Sequence, residues 1–243
     1  MSNQLEGKTV VVVGASSGMG LAVTKESAAL GAHVVMVSRS ADKLAQVRRE
    51  ISGDIETRSA SMLDEESLRQ LFIQIKTLDH LVVTAVADEM QLFSSLVDMS
   101  TEVAQRGMEK FWGAFFVTRA AIPHLTSHGS ITLTSSVSIF NPSKGGLSVM
   151  SAASGAVAVF ARTLAAELAP IRVNVIAPGS VNTGVYSTQS PAERASSEQW
   201  GRETLPVGHL GQPEELAQAF LYLMTNTYTT GAILPVDGGL SVL

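Results

Sequence analysis

The feature that most constrains the fold is a run of four valines that ends in a glycine-rich turn. Val10–Val13 are followed by Gly14, Gly18 and Gly20, and an amphipathic segment then runs from Leu21 to Leu30. A short apolar run, a tight turn and a helical pattern in this order predict a buried parallel strand that leads into a helix.

The three glycines of this turn have separate predicted roles in binding an anion. Gly14 permits the turn, Gly18 lets a ligand phosphate approach the backbone, and Gly20 allows close contact between helix and strand. Free N–H groups at the start of the helix then favour a diphosphate. The alternative is a turn that only connects a strand to a helix. The rest of the sequence favours a nucleotide site, to which Ser16, Ser17 and Met19 of the same turn are also assigned.

Composition narrows the possible partners and chemistry. The 243 residues carry a formal charge of −5 and have no long basic run, so a nucleic-acid partner is not expected. The chain has no cysteine, which excludes disulfides and thiolate chemistry, and we predict no metal site. The first residues lack a signal-peptide pattern, and no apolar run approaches membrane-spanning length. We therefore expect a cytoplasmic protein with no membrane partner.

Strand-like and helical segments alternate along the whole chain, as in βαβ units. The predicted strands are Thr9–Val13, His33–Ser38, Ile55–Ala60, His80–Thr84, Ser130–Thr134, Arg172–Ile176 and Ile233–Val236. The clearest predicted helices are Leu21–Leu30, Ala41–Glu50, Glu65–Ile75, Thr101–Leu125, Ser151–Leu168 and Pro213–Met224. This order predicts an α/β protein with a Rossmann-like, doubly wound parallel sheet of about seven strands and helices on both faces.

One domain is expected over residues 1–243, since no linker, repeat or low-complexity segment interrupts the pattern. The least regular stretch, Gly184–Trp200, follows a strand end, where doubly wound folds bind ligands. It is interpreted either as a mobile substrate lid or as a plain surface loop.

Four ordered motifs resemble those of the short-chain dehydrogenase/reductase family, over nearly the whole chain. The turn at 14–20 resembles the family's TGxxxGxG, with Val13 in place of Thr. The segment 174–183 resembles its N-x-h-x-P-G-x-x-x-T, and the stretches 208–215 and 230–239 match its C-terminal signatures. The resemblance implies a nicotinamide dinucleotide cofactor, with Pro178, Gly179, Val181 and Thr183 holding the nicotinamide end, Ser61 and Met62 near the adenine, and Ala85 after the fourth strand.

The end of the second strand favours NADP(H) over NAD(H). An acidic residue there would bind the adenosine ribose hydroxyls and select NAD, but the chain has Ser38 and Arg39. A hydroxyl and a guanidinium suit a 2′-phosphate, and Ser16 offers a further contact. The alternative for Arg39 is a solvated surface side chain. Where the family has Asp, Ser61 can still form a hydrogen bond.

The catalytic positions depart from the family pattern, in which Asn, Ser, Tyr and Lys act together. Ser136 matches the serine, which the resemblance assigns to the substrate oxygen. Counting back from the helix that contains Phe160–Leu168 puts Met150 at the tyrosine position and Ser154 at the lysine position. A register shifted by one gives Val149 and Ala153, which also lack the pair. Because methionine cannot donate a proton and serine carries no positive charge, ordinary acid catalysis on a ketone is predicted to be disabled.

Three residues are candidates to replace the missing acid. Lys110 occupies the family's Asn position, three residues before Gly113, and a buried lysine normally needs a partner or a function. Asp88 follows the fourth strand and can pair with Lys110, or it is an exposed loop carboxylate. Tyr186, on the presumed lid, is a second possible proton donor or a packing residue.

Two functions remain open. The first is an NADP(H)-dependent oxidoreductase with a modified proton-transfer site, which acts on an activated small molecule such as an imine, an iminium ion or a carbonyl. The second is a catalytically silent NADP(H)-binding sensor or partner subunit. The Ala-rich helix Ser151–Leu168 has apolar residues on more than one face, so we also expect a homodimer or homotetramer.

Overall fold

A computed structural model describes residues 4–85, 94–142, 145–183 and 190–243. Asp88 and Tyr186 lie outside these described residues, so the structure does not test the roles predicted for them.

The centre of the fold is one parallel sheet of seven strands in the order β3-β2-β1-β4-β5-β6-β7. The strands are β1 (Thr9–Val13), β2 (His33–Ser38), β3 (Ile55–Ser59), β4 (Leu78–Val83), β5 (Leu125–Thr134), β6 (Arg172–Pro178) and β7 (Ile233–Val236). The order reverses next to β1, which is the switch point where doubly wound sheets bind ligands. The predicted α/β, Rossmann-like fold is confirmed.

Helices cover both faces of the sheet. They are α1 (Gly18–Ala29), α2 (Ala41–Arg48), α3 (Glu65–Ile75), α4 (Thr101–Gly107), α5 (Glu109–Ala121), α6 (Ser148–Glu167), α7 (Pro191–Thr204) and α8 (Pro213–Thr225). The valine run explains the two layers, because successive strand residues point to opposite faces. Val11 and Val13 join a core with α3, α5 and α6, whereas Val10 and Val12 join a core with α1 and α8.

The single helix predicted over Thr101–Leu125 is wrong. The segment contains α4, a joint at Met108, then α5, a 3₁₀ turn at Ile122–His124 and the first residue of β5. Gly107 costs helix stability at the end of α4. Pro123 lacks an N–H and is tolerated at the start of the 3₁₀ turn. The joint at Met108 places Glu109 and Lys110 in the first turn of α5.

The prediction of an irregular segment as far as Trp200 is also wrong, because residues 191–200 belong to α7. The Ser190 hydroxyl accepts a hydrogen bond from the Glu193 N–H at 3.3 Å, and the Glu193 carboxylate accepts one from the Ser190 N–H at 2.7 Å. This reciprocal cap, with Pro191 at the first helical position, was present in the sequence as a helix-start signal. The remaining residues of the predicted lid, 184–189, lie outside the described ranges.

Helix α6 has 20 residues and contains an 18-residue stretch with a mean hydropathy of 1.5, which is the length and apolar composition of a membrane span, so the prediction that no apolar run approaches this length is wrong. Its apolarity has another explanation in the fold. On one side of α6, Val157 and Ala161 are buried in the core that contains α3 and α5, whereas Val159 on another side is 66% exposed.

Candidate functional site

Two glycines of the glycine-rich turn pack closely against neighbouring chain atoms and leave no room for a side chain at their positions. A Cβ added to Gly14, whose φ is +99°, would lie 2.6 Å from the Ala85 nitrogen. A Cβ added to Gly20 would lie 2.5 Å from Thr84 Oγ1 and would also overlap the Gly14 carbonyl. Thr84 Oγ1 shares its proton between the carbonyl oxygens of Val13 at 3.2 Å and Gly14 at 3.4 Å. Gly14 and Gly20 are therefore required by close packing.

The N-terminus of α1 fits a phosphate group. Ser17, the N-cap residue, has an extended backbone and makes no side-chain cap. The first N–H groups of a helix have no partner within the helix and carry its positive dipole end. Ser17, Gly18 and Met19 line a cavity of about 290 Å³, which is close to the size of a small ligand pocket.

This cavity brings together most of the residues predicted to bind the cofactor. Those lining it are Gly14, Ser16, Ser17, Gly18, Met19, Gly20, Ser38, Arg39, Ser61, Met62, Ala85 and Thr183. Five other residues line the cavity but were not predicted to bind the cofactor, and these are Val13, Ala60, Leu63, Thr84 and Glu109.

Ser38 and Arg39 lie at the end of β2, where hydrogen bonds from neighbouring side chains hold them in place. The hydroxyls of Ser16 and Ser38 are 2.9 Å apart and hydrogen-bonded, so one of the pair can still donate a proton to a ligand. Ser59 Oγ donates to the Arg39 carbonyl at 3.1 Å, which fixes the backbone of the arginine, while its side chain is exposed. A guanidinium and a hydroxyl at one strand end form a site suited to a phosphate monoester.

The 178–183 segment contributes to the cavity through Thr183, which packs beside Gly18. The other three predicted residues of this segment lie outside the cavity lining. Gly179 packs against the Asp237 backbone, where an added Cβ would be 2.6 Å from Asp237 Cα. Val181 is buried in the core that contains α8. Pro178 ends β6.

Ser136 follows β5 and caps the short 3₁₀ turn Val137–Ile139. Its Oγ accepts a hydrogen bond from the Ser138 N–H at 3.2 Å. A hydroxyl that accepts one hydrogen bond can still donate its own proton, as binding of a substrate oxygen requires.

Lys110 connects α5 to the residues around Ser136. Its side chain is buried, with 8% of its surface exposed, and Nζ donates to the Ser135 carbonyl at 3.0 Å. Ser135 Oγ in turn donates to the Ser154 carbonyl in α6 at 2.8 Å. The ammonium group of Lys110 is thus held directly before Ser136, at the junction of α5, β5 and α6.

Met150 and Ser154 lie one turn apart on α6. Met150 is half-buried, whereas Ser154 is 1% exposed. Within the described ranges, Ser154 Oγ is a buried hydroxyl with no hydrogen-bond partner. In the part of the chain that the structure describes, Ser27, Thr118 and Thr132 also have buried hydroxyls without a partner, so this feature does not by itself mark Ser154 as a functional residue.

Comparison with known proteins gives the family. A family model described as Enoyl-(Acyl carrier protein) reductase matches residues 14–241. The short-chain dehydrogenase/reductase ATR9 of Stachybotrys chlorohalonatus is 32% identical over 97% of this chain and 97% of its own length. The chain belongs to the short-chain dehydrogenase/reductase family.

Two other members of this family are informative about cofactors. An NADP-dependent (R)-specific alcohol dehydrogenase of Lentilactobacillus kefiri is 30% identical over 98% of both chains. The crystal structure of a small-chain dehydrogenase in complex with NADPH is 30% identical, with a TM-score of 0.82 over 97% of this chain and 99% of that one. As a short-chain dehydrogenase/reductase, the chain is expected to be an oxidoreductase enzyme.

Proposed function

We propose that this protein is an NADP(H)-dependent oxidoreductase whose proton-transfer site is modified. The observations that carry the proposal are a cavity at the glycine-rich turn, lined by most of the residues predicted to bind the dinucleotide, and the presence of Met150 and Ser154 one turn apart on α6. A cytoplasmic location is part of the proposal and rests on the sequence.

The cavity fits the phosphates of NADP(H). The uncapped N-terminus of α1 supplies N–H donors for the diphosphate, and Ser38 with Arg39 supplies donors for the 2′-phosphate. When bound, the dinucleotide supplies or accepts the hydride. The NADPH complex and the NADP-dependent alcohol dehydrogenase among the similar proteins support this choice of cofactor.

The proton for the substrate is the missing element. A hydride added to a ketone leaves a basic alkoxide, and general acid catalysis of this step contributes about 10²–10⁴-fold in rate. The side chain of Met150 has no proton to donate, and Ser154 has no charge to lower the pKa of an acid. The lysine and tyrosine that the family resemblance implies at these positions are absent from the sequence.

Lys110 brings a cation to the residues before Ser136 from a different helix. Its ammonium reaches the loop before Ser136 from α5, and the hydrogen bond to Ser135 fixes the backbone that carries Ser136. We assign Lys110 as a positioning residue for Ser136. Ser136 then donates a hydrogen bond to the substrate but does not replace a strong acid.

The substrate class follows from this missing acid. An iminium ion accepts a hydride without further protonation and gives a neutral amine, so it needs no tyrosine. We therefore propose an imine, an iminium ion or an otherwise activated carbonyl as the substrate. The alternative, a silent NADP(H)-binding protein, is favoured by the fact that Lys110 binds a backbone carbonyl of its own chain.

The test compares two small substrates of equal size, a cyclic imine and the corresponding cyclic ketone, by following NADPH consumption. We expect turnover of the protonated imine and very slow reduction of the ketone. The double change Met150→Tyr with Ser154→Lys should raise ketone reduction by about 10²-fold or more.

The matched control is Met150→Phe with Ser154→Lys, which has the same ring and cation without the phenolic proton. This control should not gain ketone reduction. Both variants are checked by thermal unfolding, because Ser154 is buried. Rapid ketone reduction by the unchanged protein contradicts the assignment, and tight NADPH binding without turnover of either substrate favours the silent alternative.

A further inference from the structure

The cofactor cavity has an acidic residue in its wall that the function described above does not use. Glu109, at the start of α5, is half-buried and lines the cavity. Among the described lining residues, Arg39 is the one cationic side chain and Glu109 the one anionic side chain. Within the described ranges, no hydrogen bond or ion pair engages the Glu109 carboxylate.

A close contact between helix α5 and the loop after β3 fixes the direction of Glu109. A Cβ added to Gly113 would lie 2.6 Å from Met62 Sδ and 2.8 Å from Met62 Cγ, so Met62 packs directly on this face of α5. Glu109 precedes Gly113 by four residues and therefore lies on the same helix face, one turn earlier. This places the carboxylate beside the loop of Ser61–Leu63.

The position of Glu109 relative to the phosphate sites limits what it can bind. The diphosphate and 2′-phosphate sites lie at the N-terminus of α1 and at Ser38–Arg39, and phosphate oxygens would repel a carboxylate. From the 2′-phosphate, the ligand continues through one ribose to the adenine. The lining residues that remain for the base are Ala60–Leu63, Thr84, Ala85 and Glu109.

Adenine offers a suitable donor at this wall. Its 6-amino group has two N–H donors, and an ionised carboxylate accepts hydrogen bonds only. The nearby Ser61 Oγ accepts a bond from the Leu63 N–H at 3.3 Å, which uses one of its two acceptor positions, whereas the Glu109 carboxylate brings a charged acceptor to the same wall. A partly buried carboxylate without a donor is unfavourable, and a hydrogen bond from the amino group would remove that cost.

We propose that Glu109 accepts a hydrogen bond from the adenine 6-amino group and makes the cavity selective for the adenine base. The proposal rests on the NADP(H)-binding function proposed above. This role differs from that of the phosphate-binding residues, because Glu109 would determine which base the cavity binds.

The test compares the dissociation constants of NADPH and of its 6-oxo analogue, the reduced nicotinamide hypoxanthine dinucleotide phosphate. In the analogue, an acceptor oxygen replaces the donor amine. The unchanged protein should bind NADPH at least about tenfold more tightly, as expected for loss of a hydrogen bond to a charged group.

Glu109→Gln should reduce this ratio to within about threefold, because an amide can donate to the 6-oxo group as well as accept from the amine. Glu102→Gln, an exposed substitution on α4 outside the cavity, is the matched control and should keep the full ratio. Fluorescence of the reduced nicotinamide reports binding of both ligands, and a thermal melt confirms that each variant is folded.

The outcomes separate the two proposals. If the unchanged protein binds neither ligand, the proposed NADP(H) function fails, and the role of Glu109 fails with it. If NADPH binds but the ratio is small, or if Glu109→Gln weakens both ligands equally, base recognition by Glu109 is overturned while the proposed function stands.

Discussion

Replacement of Arg39 by alanine should weaken the binding of NADPH and leave the binding of NADH nearly unchanged. The guanidinium stands at the end of β2 beside the hydrogen-bonded pair Ser16 and Ser38. A hydrogen bond to a charged group contributes about 1.5–3 kcal/mol. Because the Arg39 side chain is exposed, solvent screens the interaction and the lower value applies, which corresponds to about tenfold in the dissociation constant.

Adding Ser38→Ala should cost about a further fivefold, since a neutral hydrogen bond contributes about 1 kcal/mol. Titration calorimetry with both cofactors measures the effect, and the loss for Arg39→Ala should shrink at high salt. Arg49→Ala, an exposed arginine outside the cavity lining, is the control. Equal affinities of the unchanged protein for NADPH and NADH, or an equal loss for both in Arg39→Ala, would refute the reasoning.

Three further predictions concern stability and assembly. Lys110→Met should lower the free energy of unfolding by about 1–3 kcal/mol, because the Ser135 carbonyl loses its donor, while the affinity for NADPH is retained. Denaturant unfolding measures the stability and calorimetry measures the affinity. An unchanged stability would contradict this prediction. Burial lowers the pKa of His80 from 6.5 to about 4, so the unfolded chain takes up the proton first as pH falls. The free energy of unfolding should therefore drop by about 3 kcal/mol between pH 6.5 and about 4, and a pH series in urea should show a weaker slope in His80→Gln. The exposed Trp112 and Val159 on α5 and α6 predict a homodimer or homotetramer, which Val159→Asp should dissociate in light scattering; a monomeric mass of the unchanged protein at micromolar concentration excludes it.

The strands were largely predictable because each carries a compact apolar run. Thr9–Val13, His33–Ser38 and Ile233–Val236 match the predicted bounds. The predicted bounds of helices were wrong where residues that favour a helix lie beside residues that interrupt one. The apolar character of residues 101–125 suggested one helix, whereas Gly107 and Pro123 interrupt it.

The residues that line the candidate cavity were predictable where they follow the end of a strand. Gly14 and Ser38 were found in this way, because parallel strands bring their carboxyl ends to one edge. The sequence did not indicate that Glu109 lines the cavity, because Glu109 lies on helix α5 and does not follow a strand. The position of α5 beside the cavity depends on the close packing of Gly113 against Met62, which no sequence pattern shows. Lys110 was singled out by position, but its acceptor is a backbone carbonyl, which no residue type reveals.

The hydrogen bonds of Thr84 have a consequence for ligand association. Its hydroxyl is directed to the carbonyl oxygens of Val13 and Gly14 and so holds these acceptors on the β4 side of the turn. The entrance to α1 consequently presents donors to the cavity before any ligand arrives. Such preorganisation reduces the entropy lost on binding, because a phosphate group that reaches the N-terminus of α1 meets N–H donors that already point towards it.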